Sequence, residues 1–251
     1  MQTNPRKSLL RWSEFRKGSP RIPIEVISKD FSSLPALEII RNQSRYGRTL
    51  KRIGDVIFSL VVLSLGSPIF ILIGILVKLS SPGSVFYIQK RVGRNYREFG
   101  CIKFRTMYKN ADELLPNLLE KYPLMRKEFE QDFKLRHDPR ITKLGRFLRR
   151  SSLDELPQFF NVLKGEMSIV GPRPCLVTQK ELIKQRKKLN IHKVTPGITR
   201  LAQIKGVDMS NPKLLAELEF SMIKSFTIKK YFYYFFKTLI GSGFGDNLTK
   251  H

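Results

Sequence analysis

The longest apolar run in the chain lies between Asp55 and Lys78. Residues 56–77, VIFSLVVLSLGSPIFILIGILV, carry no charge. About 20 consecutive apolar residues are enough to cross the hydrocarbon core of a bilayer. The pattern therefore predicts a membrane helix over residues 51–78, and a helix buried in a soluble core is the less favoured alternative.

A proline in the middle of this run predicts a break in the helix. Pro68 follows Gly66 and Ser67, and a proline at this place lacks an N–H and clashes with the carbonyl of Ser64. Prolines also kink ordinary spanning helices, so the break at Ser67 and Pro68 does not by itself decide the topology.

Charges on both sides of the run favour a re-entrant helix. Basic residues precede and follow it: Arg41, Arg45, Arg48, Lys51 and Arg52 come before, and Lys78, Lys90, Arg91 and Arg94 come after. Short cytoplasmic flanks of membrane helices are the ones enriched in Lys and Arg. A helix that entered and left on the cytoplasmic side would keep both clusters on the favoured side.

The remaining pattern predicts a mixture of short strands and helices. Alternating β-branched and aromatic residues over 85–107 predict a hairpin in which Lys103 and Arg105 share one face. Residues 111–135 read as two short helices broken by Pro116 and Pro123, and residues 178–188 as a Lys-rich helix. The aromatic residues and lysines of 220–240 suit the headgroup layer of a membrane or the edge of a packed core.

One further helix is indicated from about Glu155 to Lys164. Leu156, Phe159, Phe160 and Leu163 recur at helical spacing, and Gly165 follows as a stop signal. Pro157 belongs in a first turn, which makes Asp154 the candidate N-cap.

Composition and charge indicate an anionic binding partner but do not identify its chemical class. The chain has 251 residues and a formal net charge of +25, which favours phosphorylated ligands, anionic lipid headgroups or nucleic acid. Two cysteines and three scattered histidines argue against a disulfide framework and against a zinc site.

The segment from Arg146 to Pro174 carries the candidate chemistry. Arg149 and Arg150 come just before the carboxylates Asp154 and Glu155, and Arg173 lies between the two prolines of GPRP. Guanidinium groups beside a carboxylate pair suggest phosphate and metal chemistry. A helix cap at Asp154 within a surface cluster of ion pairs is the alternative.

Several motifs in order resemble the bacterial sugar transferases, the monotopic polyprenyl-phosphate phosphoglycosyl transferases. They are KRIGD (51–55), SSPGSVFYIQKRVGRN (80–95), KFRTM (103–107), DPRITKLGRFLRRSSLDELPQFFNVLKGEMSIVGPRP (138–174) and PGIT (196–199). The resemblance covers roughly residues 51–210.

This resemblance implies an α/β catalytic unit on the cytoplasmic face of the bacterial inner membrane, with a re-entrant helix and amphipathic interfacial helices. Residues 1–50 would be a soluble extension, 51–78 the re-entrant helix broken at Ser67 and Pro68, 79–215 the catalytic domain, and 216–251 an aromatic-rich helical tail. It also implies contact with membrane lipid, whereas the oligomeric state and the sugar stay open.

The implied activity is transfer of a sugar-1-phosphate from a UDP-sugar to polyprenyl phosphate, with Asp154 as nucleophile and release of UMP. Magnesium would be held by Asp154 or Glu155. Basic positions of the motifs and their neighbours are the candidates for phosphate contact: Lys103, Arg105, Arg149, Arg150, Arg173 and Arg200.

The sequence departs from the family pattern in two places. Val207 stands where an arginine is expected after PGIT, and Glu219, Phe220 and Met222 replace an Asp and Tyr pattern near the end. Two rival functions are a membrane-anchored nucleic-acid-binding protein and an inactive scaffold for polysaccharide assembly. The chain has no recognised nucleic-acid motif and keeps both carboxylates, so nucleic acid is not expected as a partner.

Overall fold

The computed structural model describes residues 45–132, 135–199, 211–225 and 227–237. The described elements are α1 (Arg45–Leu65), α2 (Ser67–Ser80), β1 (Phe86–Val92), β2 (Glu98–Phe104), α3 (Ala111–Lys121), α4 (Pro123–Asp132), α5 (Lys143–Arg150), α6 (Gln158–Lys164), β3 (Ser168–Val170), α7 (Lys180–Lys188), β4 (Gly197–Thr199), α8 (Pro212–Lys224) and α9 (Ile228–Lys237). Three 3-10 turns join them, at Arg94–Tyr96, Leu153–Glu155 and Ile191–Lys193. Helices and strands are thus mixed, as the sequence predicted.

The break in the apolar run is confirmed. Helices α1 and α2 meet at Gly66 with a bend of 63°. The Ser67 hydroxyl donates to the carbonyl of Ser64 at 2.9 Å, so the acceptor that Pro68 leaves without an N–H has a partner. Among the described residues no single helix has the length and hydropathy of a membrane span, whereas Thr49–Leu65 and Ser67–Ser80 reach both together.

The bent helices have one packed side and one bare side. On α2, Ile73 and Val77 are buried against Phe104 of β2 and Leu148 of α5. Many other apolar side chains of the two helices face outward, with Leu65 78% and Leu79 77% exposed. The helix pair therefore presents a large apolar surface that the described part of the chain leaves uncovered.

The predicted hairpin is confirmed as an antiparallel pair of β1 and β2, in which Phe86 lies opposite Phe104. A second, parallel pair joins β3 to β4. Beside this pair, two backbone segments approach so closely that a Cβ on Gly197 would lie 2.0 Å from the backbone nitrogen of Gly171. Only glycine permits this approach, and it brings the GPRP and PGIT segments together.

The helices differ from the prediction in one detail. The break between α3 and α4 falls at Pro123, as predicted, but Pro116 lies inside α3 and does not end it. Pro116 removes only the bond to the carbonyl of Asp112, a residue that is exposed. Because that carbonyl lies on a water-facing turn, its lost bond costs little.

Asp55 of the KRIGD segment links α1 to β3 and α9 by hydrogen bonds, and it is only 2% exposed. Its carboxylate accepts from the Tyr231 hydroxyl at 2.8 Å, the Ser168 hydroxyl at 2.7 Å, the Ile169 N–H at 3.1 Å and the Lys51 ammonium at 3.1 Å. These donors come from α1, β3 and α9. A buried carboxylate is stable only with such partners.

Burial and the nearby Asp55 carboxylate raise the pKa of Tyr231 above its usual value. Its hydroxyl therefore stays protonated as a donor throughout the neutral range. Tyr231→Phe should lower the free energy of unfolding by about 1.5–3 kcal/mol, the range for a hydrogen bond to a charged group.

Thermal unfolding in detergent micelles measures this loss. Tyr108→Phe is the matched control, because Tyr108 is 45% exposed. An unfolding temperature as high for Tyr231→Phe as for Tyr108→Phe would show that Asp55 does not depend on this donor.

Candidate active site

The two candidate carboxylates lie in a tight turn between α5 and α6. Ser152 adopts the left-handed region at φ 55°, and Leu153–Glu155 form a 3-10 turn. Helix α6 begins only at Gln158, so the predicted start at Glu155 and the N-cap role of Asp154 are wrong. The backbone leaves right-handed helical geometry at Ser152, and the two carboxylates follow in the 3-10 turn. Gly165 ends the helix in the left-handed region, as predicted.

The environments of the two carboxylates differ. Asp154 is 7% exposed, whereas Glu155 is half-buried. A Glu155 oxygen accepts from the ammonium of Lys103 at 2.5 Å. This ion pair joins strand β2 to the turn, so Lys103 of KFRTM and Glu155 occupy one site.

A cleft opens beside Glu155. It is lined by Arg91, Cys101, Lys103, Glu155, Gln158, Arg173, Pro174, Gly197 and Ile198. The GPRP and PGIT segments, β1, β2 and the start of α6 therefore meet there. Among the described residues, the Arg173 guanidinium has no hydrogen-bond acceptor, and it is only half-buried.

Arg91 is the functional residue that the sequence reasoning missed as a member of this site. Its guanidinium donates to Gln89 at 3.0 Å and 2.5 Å and to the carbonyl of Pro174 at 3.2 Å. Burial, together with repulsion from Arg173, lowers the pKa of Arg91 to about 10. Two neighbouring cations that destabilise each other form a site suited to an anion.

Arg105 contacts backbone carbonyls in this structure. Its guanidinium donates to the carbonyls of Pro82 at 2.8 Å and Ser81 at 2.6 Å, beyond the C-terminal end of α2. The predicted basic stripe thus divides, with Lys103 directed to Glu155 and Arg105 to this helix end.

The other basic candidates lie outside the lining of the cleft or outside the described residues. Arg149 donates to the Thr106 hydroxyl at 2.9 Å, and Arg150 is exposed. Arg200 and Val207 lie outside the described residues. Phosphate contact by any of the six basic candidates stays a prediction, and for Arg105 the bonds to Pro82 and Ser81 favour a structural role instead.

The donor set fits magnesium better than a metal with several protein ligands. The described residues include no group of three or more His, Cys, Asp or Glu side chains that could hold a metal ion. Magnesium is usually bound by one or two carboxylates together with substrate phosphates and water. Asp154 and Glu155 beside a cationic cleft satisfy that requirement.

Glu155, its ion-paired partner Lys103 and the arginines Arg91 and Arg173 thus surround one cleft, and Asp154 precedes Glu155 in the turn beside it. Residues 46–243 match the bacterial sugar transferase family. This protein belongs to that family.

Three named relatives each match about two thirds of the chain. The undecaprenyl-phosphate galactose phosphotransferase of Salmonella typhimurium is 45% identical over 163 residues, which are 64% of this chain and 34% of the relative. The exopolysaccharide production protein ExoY of Rhizobium meliloti is 45% identical over 64% of this chain and 70% of its own length. The UDP-glucose:undecaprenyl-phosphate glucose-1-phosphate transferase of Escherichia coli is 43% identical over 65% of this chain and 32% of the relative. The chain thus spans about a third of two of these relatives.

Two arginine variants separate anion binding from structural support. Arg173→Ala should weaken binding of inorganic pyrophosphate by about 10- to 150-fold, which corresponds to a lost charged hydrogen bond of about 1.5–3 kcal/mol. Arg105→Ala should change this affinity by less than about twofold and lower the unfolding temperature, because it removes the donor to the Ser81 and Pro82 carbonyls that follow α2.

Isothermal titration and thermal unfolding of both variants measure the two effects. Equal loss of pyrophosphate binding in Arg105→Ala, with an unchanged unfolding temperature, would establish Arg105 as a phosphate contact instead.

Proposed function

We propose that this protein transfers a sugar-1-phosphate from a UDP-sugar to polyprenyl (undecaprenyl) phosphate and releases UMP. This reaction would initiate the assembly of a bacterial polysaccharide such as O-antigen, capsule or exopolysaccharide. The observation that carries the proposal is the Asp154–Glu155 pair beside a cleft lined by Lys103, Arg91 and Arg173. The named activities of the relatives from Salmonella and Escherichia coli support it.

The proposed reaction consists of two successive displacements. A carboxylate oxygen of Asp154 attacks the β-phosphorus of the UDP-sugar, and the bond to UMP breaks with its electron pair leaving on UMP. An oxygen of polyprenyl phosphate then attacks the same phosphorus and releases the Asp154 carboxylate. A carboxylate nucleophile divides one hard substitution into two easier ones.

The cations answer an electrostatic difficulty of this reaction, since a carboxylate and a diphosphate repel each other. Arg91 and Arg173 border the cleft and would neutralise the diphosphate before the attack. Lys103 is 2.5 Å from Glu155 and reduces the negative charge beside Asp154.

Magnesium fits this proposal as a further counter-charge. Asp154 and Glu155 are the residues that would hold it, and the bound ion would supply stabilisation of the diphosphate charge.

The membrane placement is also part of the proposal. A re-entrant α1–α2 hairpin on the cytoplasmic face of the inner membrane would bury the outward apolar side chains of these helices. The Ser67 hydroxyl already satisfies the Ser64 carbonyl at the bend, which a break inside lipid requires. The basic clusters on both flanks favour the same side for both ends.

Nucleic-acid binding explains the site less well. It would account for the charge of +25. However, the buried carboxylate of Asp154 and the neighbouring Glu155 would repel a phosphate backbone and would serve no purpose in such a protein.

A nucleophile variant tests the reaction directly. Asp154→Asn cannot form an acyl phosphate, so release of UMP from UDP-sugars and transfer of label from the β-phosphate to the protein should fall at least about a thousandfold. Glu155→Gln should also be severely impaired, through the metal or the orientation of the turn.

A panel of UDP-sugars assayed with membrane extract provides the measurement and identifies the sugar. Asp112→Asn, which neutralises an exposed carboxylate on α3, is the matched control. Appreciable turnover by Asp154→Asn would rule out the covalent mechanism.

Cysteine labelling tests the topology. Single cysteines at Arg45→Cys and Asn110→Cys should both be shielded from an impermeant thiol reagent in intact cells, because a re-entrant hairpin keeps both on the cytoplasmic side. Cys101 and Cys175 are buried, so background labelling of the native chain should be low.

A variant that removes the proline at the bend serves as the comparison for this labelling experiment. Pro68→Leu should straighten the helix and expose the residue-45 site to the reagent in part of the molecules. Labelling of residue 45 without the Pro68 change would instead establish a spanning helix.

A further inference from the structure

A second cavity adjoins the cleft at the GPRP turn. It is shallow and open to solvent, and Arg173 lines both cavities. The hairpin loop contributes Gly93 and Tyr96, and the segment after α7 contributes Ile191 and His192. The two cavities thus share one guanidinium, with the carboxylate Glu155 on one side only.

An aromatic stack forms part of the wall of this second cavity. The rings of Tyr96 and His192 are nearly parallel, with centroids 4.5 Å apart and planes inclined by 16°. Tyr96 remains 39% exposed, so its ring has surface available for a further contact.

The backbone of Tyr96 adopts a conformation that is unfavourable for residues other than glycine. Asn95 and Tyr96 both have positive φ values, 53° and 62°. This left-handed region costs a residue with a Cβ roughly 1–2 kcal/mol relative to the right-handed one. Strain of this kind is concentrated at functional positions, and here it places an aromatic ring on the cavity wall.

The cavity is largely apolar apart from the Arg173 guanidinium that it shares with the cleft. Val92, Pro172, Ile183, Val194 and Pro196 line it. The Arg186 guanidinium is held by the buried Glu219 carboxylate at 2.8 Å and 2.5 Å, which compensates its charge. Burial and the neighbouring Lys193 lower the pKa of His192, so its imidazole is uncharged near pH 7.

We propose that this cavity receives the uracil base of the nucleotide sugar, with Tyr96 as the stacking residue. The inference rests on the proposed function. A flat base stacks on an aromatic wall, and the apolar side chains beside Tyr96 suit the face of such a ring better than they suit the hydroxyl groups of a hexose. Arg173 between the cavities would then contact the phosphates that link the base to the sugar in the cleft.

Binding of UMP and of inorganic pyrophosphate to purified protein separates the base from the phosphates. Tyr96→Gly removes the ring and also relieves the left-handed strain, so the unfolding temperature should not fall. Its affinity for UMP should drop about 5- to 100-fold, the range for loss of one stacked base, and its affinity for pyrophosphate should change by less than about twofold. Tyr96→Phe should bind UMP like the unaltered protein.

Tyr122→Ala is the matched control, since Tyr122 is similarly exposed at 43% and lies between α3 and α4. Unchanged UMP affinity in Tyr96→Gly, an equal loss for pyrophosphate, or no UMP binding by the unaltered protein would each overturn the inference. A changed preference among UDP-sugars with unchanged UMP affinity would also overturn it and assign the cavity to the sugar. UMP binding that depends on Tyr96 in a protein that releases no UMP from UDP-sugars would refute the proposed function alone.

Discussion

The position of the bent helices depends on one buried carboxylate, that of Asp55. A charged group removed from water is stable only when its oxygens are fully hydrogen-bonded, and the donors to Asp55 come from α1, β3 and α9. These elements are distant in sequence, so the requirement fixes them in space together. Arg52 adds a second attachment by donating to the carbonyls of Val162 and Leu163 at the end of α6. The apolar helices and the helix that follows the carboxylate turn are therefore held as one body.

Hydrogen bonds between side chains and backbone also hold the elements around the cleft together, because the strands there are short. Asn161 accepts from the Ile102 N–H at 3.0 Å and donates to the Gly100 carbonyl at 2.7 Å, which locks α6 to β2. Glu219, in turn, accepts from Arg186 and from the backbone N–H of Arg173 at 3.3 Å. Glu219, which departs from the family pattern, thus has a structural role. Its carboxylate stabilises the GPRP turn that contains Arg173.

Local rules were enough to predict the elements governed by proline, glycine and strand alternation. The bend at Pro68, the hairpin and the end of α6 at Gly165 follow from backbone sterics that act within a few residues. Contacts between distant segments were beyond such rules. Arg91 appeared only as a flanking charge, because its place beside Lys103 depends on a register that pairs Tyr87 with Lys103 and Gln89 with Cys101. Arg105 was grouped with Lys103 by alternation, yet the end of α2 supplies its acceptors. The start of α6 was misplaced because the left-handed Ser152 has no strong sequence signal.

The charged side chains of the cleft interact with one another in a way that favours binding of an anion. Arg91 is buried near Arg173 and has a lowered pKa, which means that the folded protein holds the charged form of Arg91 at a cost in free energy. Its neighbours Gln89 and Pro174 offer neutral acceptors only. Glu155 is paired with Lys103, and its charge offsets only part of the repulsion that Arg91 experiences from Arg173. A bound diphosphate would relieve it, and part of the binding free energy would then come from the removal of this strain in the empty site. Arg91 is held by the Gln89 side chain and the Pro174 carbonyl, so it needs little rearrangement when the anion arrives. That is the condition under which electrostatic stabilisation is most effective.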